Sequence, residues 1–349
     1  MDTTDAIAAL PHEAHLETLE WISAEYHGLN GTQYKTLQSP PSAVEFSRIS
    51  HISRPVLIQG HIIPGVQSWS DEYISSRMGN APISVAVTPN GYADAVTRGP
   101  DDQLYFVEPF VQHMTMSALL AELKGTRGSS ANARDVHYLQ SQNGNLFSSA
   151  YFDSSEGAQP ELAPLRSDVP PEISWCSEAL GRTPDAVNLW IGNDRSTTSI
   201  HSDPYENIYH VVRGCKIFTL LPPTEGWCLQ ERLYPHATYS RDDCGTLVLT
   251  PSTDIDSIRW SSVLHPERER VLPSSAHPIT IMVHAGETMY LPAGWWHHVQ
   301  QRGDITIALN WWYDIEPEGM SWVWLSLLRG PREVQPANGE TSDLPIDIA

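Results

Sequence analysis

Two stretches of the chain concentrate apolar and β-branched residues in runs of strand length. In residues 188–223, the runs Tyr205–Val212 and Cys215–Leu221 are separated only by Arg213 and Gly214. A two-residue loop ending in glycine commonly joins antiparallel strands, so this pattern predicts a β-hairpin. In residues 286–314, two further β-like runs lie on either side of a Gln-Arg-Gly-Asp turn.

The flanking residues predict helices and shorter strands around this β-rich centre. Helical spacing of apolar residues predicts helices over 11–26, 69–78, 114–123 and 175–180, and short apolar runs predict strands over 55–63, 83–87 and 136–140. Polar and proline-containing segments predict a mobile loop over 125–132, a surface excursion over 143–171 and a long insertion over 235–278. An insertion of that length forms a lid, a substrate wall or tolerated surface.

The predicted organisation is one mainly β domain with additions at both ends. It comprises an N-terminal helical segment over residues 1–48, a β domain over 49–330 and a flexible acidic tail over 331–349. Residues 319–328, at the end of the β domain, are apolar on almost every side. A helix of that composition must be covered, either by a second copy of the chain or by its own domain.

A candidate metal site begins with the His-x-Asp pair His201 and Asp203. Side chains two residues apart on a strand project from one face, roughly 6.5 Å apart at the Cα atoms, so both can contact one ion. An isolated His-x-Asp is a weak motif and is usually incidental. A second histidine pair, His297 and His298, precedes the Gln-Arg-Gly-Asp turn far downstream. Strand periodicity lets one of those two point inward, without indicating which.

Two histidines and one carboxylate on one side of a metal form the facial triad of non-haem Fe(II) oxygenases. Zinc sites fit less well, since the chain contains no CxxC or HExxH motif. The hairpin register also puts Lys216 on the same face as His201 and Asp203. A cation on an interior face needs an anionic partner. With Asp203 engaged by the metal, we infer that the partner is a carboxylate of a bound small molecule.

Several motifs together resemble the JmjC (Jumonji C) 2-oxoglutarate oxygenases, in their small hydroxylase branch. They are DAVNLWIG, HSDPYENIYHVVRG, LYPHATY, GETMYLPAGWWHHVQQ and NWWYD, and the resemblance runs from about residue 55 to about residue 328. It implies a double-stranded β-helix, also called a jelly roll or cupin barrel, with α-helices on its outside. The implied Fe(II) ligands are His201, Asp203 and His297, with His298 as the outward neighbour.

The same resemblance implies a 2-oxoglutarate pocket. Lys216 matches the lysine that pairs with the distal carboxylate of the cosubstrate, and Thr198 and Tyr138 match the hydroxyl groups that share it. Asn207, Asn310 and Trp312 match residues that line the pocket. The implied cofactors are therefore Fe(II) and 2-oxoglutarate, and the triad residues are ligands without an acid-base role.

The implied reaction is C3-hydroxylation of a lysine side chain in a protein substrate, a GTP-binding protein. Rival functions are N-methyl-lysine demethylation with the same iron chemistry, histone-tail proteolysis, and ligand binding by a non-catalytic cupin module. Proteolysis finds no support in a GxSxG or HExxH arrangement. The intact triad and Lys216 speak against the binding module. The resemblance also implies a homodimer formed through the C-terminal helix.

Composition sets outer limits on partners and location. There are 21 Lys and Arg against 42 Asp and Glu, a net charge of −21, which argues against direct nucleic-acid binding and could steer a basic protein segment to the site. The four cysteines have no metal or redox spacing, as expected of free thiols in a reducing compartment. With neither a signal peptide nor an apolar run of membrane-spanning length, we expect no membrane association and a cytoplasmic and also nuclear location.

Overall fold

A computed structural model describes residues 12–125, 135–141, 144–153, 160–329 and 336–337, with side chains described from Leu16 onward. Short 3₁₀ segments cover Pro64–Ser68, Ala163–Asp168 and Pro223–Leu229. The α-helices are α1 (His12–Asn30), α2 (Ala43–Ile52), α3 (Asp71–Met78), α4 (Met116–Gly125), α5 (Ser149–Phe152), α6 (Ser174–Leu180) and α7 (Met320–Arg329).

Strands dominate the described residues, as the sequence predicts. They are β1 (Lys35–Leu37), β2 (Val56–Ile58), β3 (Pro82–Thr88), β4 (Tyr92–Ala93), β5 (Ala95–Arg98), β6 (Leu104–Glu108), β7 (Phe110–Thr115), β8 (Val136–Tyr138), β9 (Phe147–Ser148), β10 (Ala186–Gly192), β11 (Thr197–Ser202), β12 (Tyr205–Leu221), β13 (Arg232–Tyr234), β14 (His236–Arg241), β15 (Leu247–Pro251), β16 (Ile258–Trp260), β17 (Ile279–His284), β18 (Thr288–Leu291) and β19 (Trp296–Asp314).

A ten-stranded sheet forms the centre of the molecule, with the path β1-β2-β18-β12-β19-β10-β9. Strands β11 and β4 extend it beside β19, and β17 extends it beside β12. Smaller sheets, β7-β3-β8 and β15-β14-β6-β5, lie alongside, and β13 pairs with β16. Strands β14 to β16 belong to the predicted insertion over residues 235–278, so that segment contributes three strands to the smaller sheets.

The helices that flank the sheet begin and end where the sequence supplies capping residues. At the start of α2, Ser42 and Glu45 form a capping box in which each side chain bonds the other's backbone N–H. Helix α6 ends at Gly181, which adopts φ +68°, a conformation that favours glycine. Apolar residues of α2, α3, α4 and α6 bury themselves against the outer face of the central sheet. No helix in the described ranges is long and apolar enough to cross a membrane.

The predicted hairpin at Arg213 and Gly214 is wrong. Tyr205–Leu221 forms the single long strand β12, and its two halves pair with the two halves of β19 rather than with each other. Tyr209 opposes Asn310 in the first half, and Phe218 opposes Val299 in the second. The outer neighbour changes along the strand, from β18 to β17. Arg213 and Gly214 therefore lie in an irregularity within a strand.

That irregularity has the same effect on side-chain direction as the predicted turn. Between Val211 and Arg213 the pairing advances two residues on β12 and one on β19, so Val212 is an extra residue, a β-bulge. Because alternate residues face opposite sides of a sheet, one extra residue reverses the alternation. Odd-numbered positions before the bulge and even-numbered positions after it share the inner face. Lys216 consequently lies on the same face as Tyr209. The predicted hairpin leads to the same face for Lys216, although a bulge and not a turn is the cause.

The segment over residues 143–171 is not a surface excursion where the structure describes it. Leu146, Phe147, Leu162 and Leu165 are buried in the main hydrophobic core, and β9 pairs with β10. Its apolar residues are spaced too widely among polar ones to show a period, so their burial is a tertiary effect. Residues 126–132 of the predicted mobile loop, and all of the predicted tail except residues 336–337, lie outside the described residues.

A chain of polar side chains links the loop that follows β2 with β18 and β12. The Thr288 hydroxyl lies 2.8 Å from Nδ1 of His210 and 3.0 Å from Nδ1 of His61. One hydroxyl can donate to one ring nitrogen and accept from the other, so both rings are satisfied when neutral. Burial lowers the pKa of His210 to about 3, with His61 acting in the same direction, and burial also lowers the pKa of His61.

The hydrogen-bonded group of His61, Thr288 and His210 predicts that the protein loses stability in mild acid. Below the ordinary histidine pKa, His210 is protonated in the unfolded protein but remains neutral in the native protein. The free energy of unfolding therefore falls as pH falls. Between about pH 6.5 and pH 5.0 His210 contributes a loss of roughly 2 kcal/mol. Denaturant unfolding at both pH values, for wild type and His210→Gln, measures this. Equal losses in the two proteins would contradict the assignment.

Candidate metal centre

Strands β11 and β19 bring the three predicted metal ligands together. His201, near the end of β11, is the direct cross-strand partner of His297 on β19, and their ring centroids lie 4.2 Å apart. Asp203 follows β11 immediately. Its carboxylate oxygens lie 3.7 Å from Nε2 of His201 and 3.6 Å from Nε2 of His297. All three potential ligand atoms fall within 4.8 Å of one another, which allows one ion to contact all three.

Backbone carbonyl groups orient both imidazoles for metal binding. Nδ1 of His201 lies 2.8 Å from the carbonyl oxygen of Ser199, and Nδ1 of His297 lies 3.0 Å from that of Trp295. A carbonyl only accepts, so each Nδ1 carries the proton and donates it, which leaves the Nε2 lone pair free. Such a hydrogen bond to the distal nitrogen is the usual support of a metal-ligating histidine. The donor set therefore fits a divalent metal ion.

The protonation states of the three residues also suit a metal. Burial raises the pKa of the Asp203 carboxyl, but the adjacent His201 and His297 outweigh burial and hold it at about 2. Burial, reinforced by His201, lowers the pKa of His297 to about 4. Burial also opposes the charged form of His201, whose pKa nevertheless lies above the ordinary value because of Asp203. Asp203 is thus anionic and His297 neutral at neutral pH.

The structure distinguishes the two members of the His297-His298 pair. His298 points to the opposite face of β19, where it is fully buried rather than at the surface. Its Nδ1 lies 3.6 Å from a carboxylate oxygen of Glu267, a residue of the insertion. Neither ring nitrogen has a hydrogen-bond partner among the described residues. His298 thus contacts the insertion, and His297 belongs to the triad.

A cavity of about 380 Å³ opens beside the triad and contains most of the predicted cosubstrate residues. Its wall includes His201, Asp203, His297, Thr198, Tyr138, Asn207, Asn310 and Trp312. These residues come from strands β8, β11, β12 and β19, together with the residue that follows β11. The central sheet thus gathers them although they are up to 174 positions apart in sequence, from Tyr138 to Trp312.

Lys216 lies behind one wall of this cavity. Its ammonium group donates to the Tyr138 hydroxyl at 3.0 Å, and the Thr198 side chain hydrogen-bonds the same hydroxyl. The side chain is 1% exposed, and no described carboxylate lies within salt-bridge distance of it. Burial lowers the pKa of Lys216 to about 7. A buried ammonium group without a counter-ion is a ready partner for a carboxylate that enters the cavity.

Gly192, the last residue of β10, leaves the space that Tyr138 occupies. A Cβ atom at this position would lie 2.7 Å from the Tyr138 ring and 2.8 Å from the Ser196 hydroxyl. Real Cβ atoms do not approach other atoms so closely, so a larger residue would displace the ring. The glycine that closes the DAVNLWIG motif therefore preserves the contact between Tyr138 and Lys216.

A hydrogen-bonded group fixes the amides on the other side of the cavity. The Asn310 amide donates to Asn207 at 3.2 Å, and its oxygen accepts from the Trp190 indole at 2.9 Å. Trp312 stacks on Tyr205 with ring centroids 5.0 Å apart. Its buried indole N–H has no acceptor among the described residues. The fixed amides and the unused donor are both available to a polar ligand.

Among the cavity residues that the sequence does not predict, three add aromatic or polar groups to its wall. Trp260, from the insertion, lies parallel to the His201 ring at 6.0 Å, so the insertion forms part of the site wall. Asp94 and Gln140 lie on another wall and are hydrogen-bonded to each other at 3.1 Å. No motif or spacing marks these positions, because their approach to the triad depends on long-range pairing.

Comparison with known proteins agrees with this geometry. Residues 41–319 match the model of the family described as cupin-like domain. The JmjC domain-containing protein E of Dictyostelium discoideum is 32% identical over 84% of this chain and 88% of its own length. The chain belongs to the cupin-like JmjC family. The predicted fold class, mainly β with flanking helices, and the family resemblance are confirmed.

Two other relatives of this JmjC protein have names that describe an activity. The human bifunctional peptidase and (3S)-lysyl hydroxylase JMJD7 is 38% identical over 80% of this chain and 84% of its own length. The lysine-specific demethylase JMJ32 of Arabidopsis thaliana is 37% identical over 82% of this chain and 83% of its own length. JmjC proteins of this family are metal-dependent enzymes, and the geometry of the His-Asp-His cluster would allow it to hold a metal ion.

The geometry predicts that His297 and His298 differ in their effect on metal binding. His297→Ala removes one of three ligand atoms and should weaken Co(II) binding by at least about ten-fold, the lower end of the range for losing an interaction with a charged group. His298→Ala, one residue away on the opposite face, should change it by less than about three-fold. A spectrophotometric Co(II) titration measures both. Stronger loss in the His298 variant would show that the assignment is reversed.

Proposed function

We propose that this JmjC protein is an Fe(II)- and 2-oxoglutarate-dependent oxygenase that hydroxylates C3 of a lysine side chain in a protein. The observation that carries the proposal is the position of Lys216. A buried ammonium group without a described carboxylate partner lies behind Tyr138, in the wall of the cavity that also contains a triad of two histidines and one aspartate. A dicarboxylate that reaches the metal with one end can satisfy this ammonium group with the other.

The residues present fit both cofactors. His201, Asp203 and His297 would hold Fe(II), and Lys216, Tyr138 and Thr198 would bind the distal carboxylate of 2-oxoglutarate. When bound, Fe(II) and 2-oxoglutarate supply the oxidising power for C–H hydroxylation with dioxygen. The carbonyl groups of Ser199 and Trp295 keep the imidazoles in the ligating tautomer. The fixed amides of Asn207 and Asn310 orient the cosubstrate, and the aromatic wall excludes water.

Lysine as the substrate side chain rests on the relatives. The human relative is described as a (3S)-lysyl hydroxylase and the Arabidopsis relative as a lysine-specific demethylase, and both names concern lysine. A GTP-binding protein as the substrate remains part of the proposal, supported by the sequence resemblance alone. The net charge of −21 favours association with a basic segment of such a protein.

Hydrolysis of the peptide bond is a second candidate that the cavity does not favour. The human relative is also described as a peptidase. Among the described residues that line the cavity, no serine, threonine or tyrosine hydroxyl is hydrogen-bonded to a histidine. A nucleophile activated by a base requires such a contact. Oxygenation is therefore the better-supported reaction, and demethylation is its closest rival because it uses the same centre.

The reaction is tested by incubating the purified protein with Fe(II), 2-oxoglutarate, air and lysine-containing peptides from candidate GTP-binding proteins. We expect succinate together with a peptide gain of about 16 Da, whereas demethylation of a methylated peptide gives a loss of about 14 Da. Asp203→Ala should abolish both products because it removes the anionic ligand. Succinate formation by that variant, or peptide fragments without succinate, would refute the proposal.

The role assigned to Lys216 predicts a selective loss of cosubstrate affinity. Lys216→Met keeps the length of the side chain but removes its charge, so KM for 2-oxoglutarate should rise by about 10- to 100-fold, as expected for losing a hydrogen bond to a charged group. Lys124→Met, which removes an exposed lysine that pairs with Asp71, serves as the control and should leave KM unchanged. An unchanged KM in the Lys216 variant would exclude the proposed contact.

We further propose a homodimer formed through α7. Several large apolar residues on this helix are exposed, and they are Met320, Trp322, Val323, Trp324 and Leu327. The opposite side of the helix packs on its own domain, because Leu325 contacts the turn at Gly294 just before His297. Exposed apolar patches of this kind are typical of protein interfaces, and a second copy of α7 would cover them.

The dimer is tested by light scattering of the purified protein. We expect a mass of twice 38.9 kDa for wild type. Trp324→Glu, which puts a charge in the exposed apolar face, should give a single chain. Leu29→Glu makes the same change at an exposed leucine of α1 and should leave the dimer intact. A wild-type mass of one chain would refute this proposal.

A further inference from the structure

Of the three described carboxylates in the cavity wall, Asp203 and Glu231 lie within salt-bridge distance of histidines or arginines. Asp203 lies between two histidines. Glu231 forms salt bridges with Arg259 at 2.6 Å and with Arg329 at 3.2 Å. Asp94 is different, because no lysine or arginine among the described residues lies within salt-bridge distance of its carboxylate, and its nearest polar partner is the neutral amide of Gln140.

The chain holds Asp94 at this position by means of a tight turn and a strained backbone. Gly91 adopts φ +85°, and a Cβ atom there would lie 2.0 Å from the carbonyl oxygen of Arg195, so only glycine allows β4 to approach β11. Asp94 itself has φ +53°, a conformation that few residues other than glycine adopt. The Ser199 hydroxyl donates to the Asp94 carbonyl at 2.6 Å and fixes it. Backbone strain of this kind concentrates at functional sites.

The register of β4 against β11 places Asp94 beside the strand that carries His201. Ala93 pairs with Thr198 in parallel, so Asp94 lies level with Ser199, two residues before His201. Two residues of a strand span roughly 6.5 Å and adjacent strands lie roughly 4.8 Å apart, so the Cα atoms of Asp94 and His201 are separated by roughly 8 Å. In an extended lysine side chain, four bonds of about 1.5 Å separate C3 from the ammonium nitrogen, a reach of roughly 5 Å. An ammonium group near Asp94 would therefore leave C3 close to the triad.

We propose that Asp94 binds the side-chain ammonium group of the substrate lysine and so selects a cationic side chain and sets its depth in the cavity. This inference rests on the proposed lysyl hydroxylase function and identifies the residue that determines its substrate. Asp94 accepts from Gln140 through Oδ2 alone, so Oδ1 remains available to an ammonium donor. Lys216, at the cosubstrate end, is held by Tyr138 instead, which keeps the two opposite charges of the cavity apart.

The test compares a lysine peptide with the same peptide carrying norleucine, which has the same carbon chain without the amine. Peptide affinities are measured by fluorescence anisotropy with Fe(II) and 2-oxoglutarate in the absence of dioxygen, so that no turnover occurs. Wild type should bind the lysine peptide at least about ten-fold more tightly, as expected for a hydrogen bond between charged groups. Asp94→Asn, which keeps the shape and tolerates the positive φ, should bind the two peptides equally within about two-fold.

A matched control removes a nearby carboxylate that does not line the cavity. Glu108 is 53% exposed at its side chain and lies 3.6 Å from His236. Glu108→Gln should keep the wild-type preference for lysine, because it lowers the local negative charge without removing the contact. In air, Asp94→Asn should raise KM for the lysine peptide by at least about ten-fold and leave KM for 2-oxoglutarate unchanged.

The outcomes separate this inference from the function on which it rests. Equal binding of both peptides by wild type, or an unchanged preference in Asp94→Asn, overturns the role of Asp94 even when the hydroxylated product forms. A preference for lysine that Asp94→Asn abolishes, without any gain in peptide mass in air, supports the binding role and refutes the hydroxylase function. If Glu108→Gln also lost the preference for the lysine peptide, the preference would come from the overall negative charge near the cavity. That result would overturn the proposed contact between Asp94 and the ammonium group.

Discussion

The antiparallel register between β19 and its two neighbours is the constraint on which the site depends. The first residues of β19 pair with β11, so that His297 opposes His201, and both halves of β19 pair with β12, which carries Asn207, Tyr209 and Lys216. A slip of one residue would turn His297 away from the cavity and bring His298 in. The buried apolar faces on both sides of the central sheet make such a slip costly. The hydrophobic core therefore determines which atoms can meet a metal.

This dependence explains how far the sequence predicts the site. The His-x-Asp spacing and the β-like runs are local features, and they were enough to place His201 and Asp203 on one face of a strand. The choice between His297 and His298 required knowledge of pairing partners, which periodicity does not contain. The predicted hairpin turn is wrong, but it gives the correct face for Lys216 because the β-bulge at the same place also reverses the side-chain alternation. An Arg-Gly dipeptide is compatible with either a bulge or a hairpin. Asp94 and Trp260 had no local signature at all.

The cavity is electrically divided in a way that matches two differently charged ligands. Lys216 supplies positive charge behind Tyr138 and Thr198, where we propose that the cosubstrate carboxylate binds. Asp94 supplies negative charge beside Gln140, on the wall where we propose that the lysine ammonium group binds. The triad in the same cavity offers Nε2 atoms on imidazoles that backbone hydrogen bonds hold in place. In each case hydrogen bonds within the protein fix the polar group, which lowers the cost of ordering on binding.

The central claim is that dioxygen, 2-oxoglutarate and a lysine side chain react at one metal centre in this cavity. The most direct measurement is product mass after turnover of the lysine peptide under ¹⁸O₂. One heavy oxygen atom should appear in succinate and one in the peptide, a peptide gain of about 18 Da instead of about 16 Da, with the two products formed in equal amounts. A peptide gain of about 16 Da under ¹⁸O₂, which indicates oxygen from water, or peptide cleavage without succinate, would contradict the account.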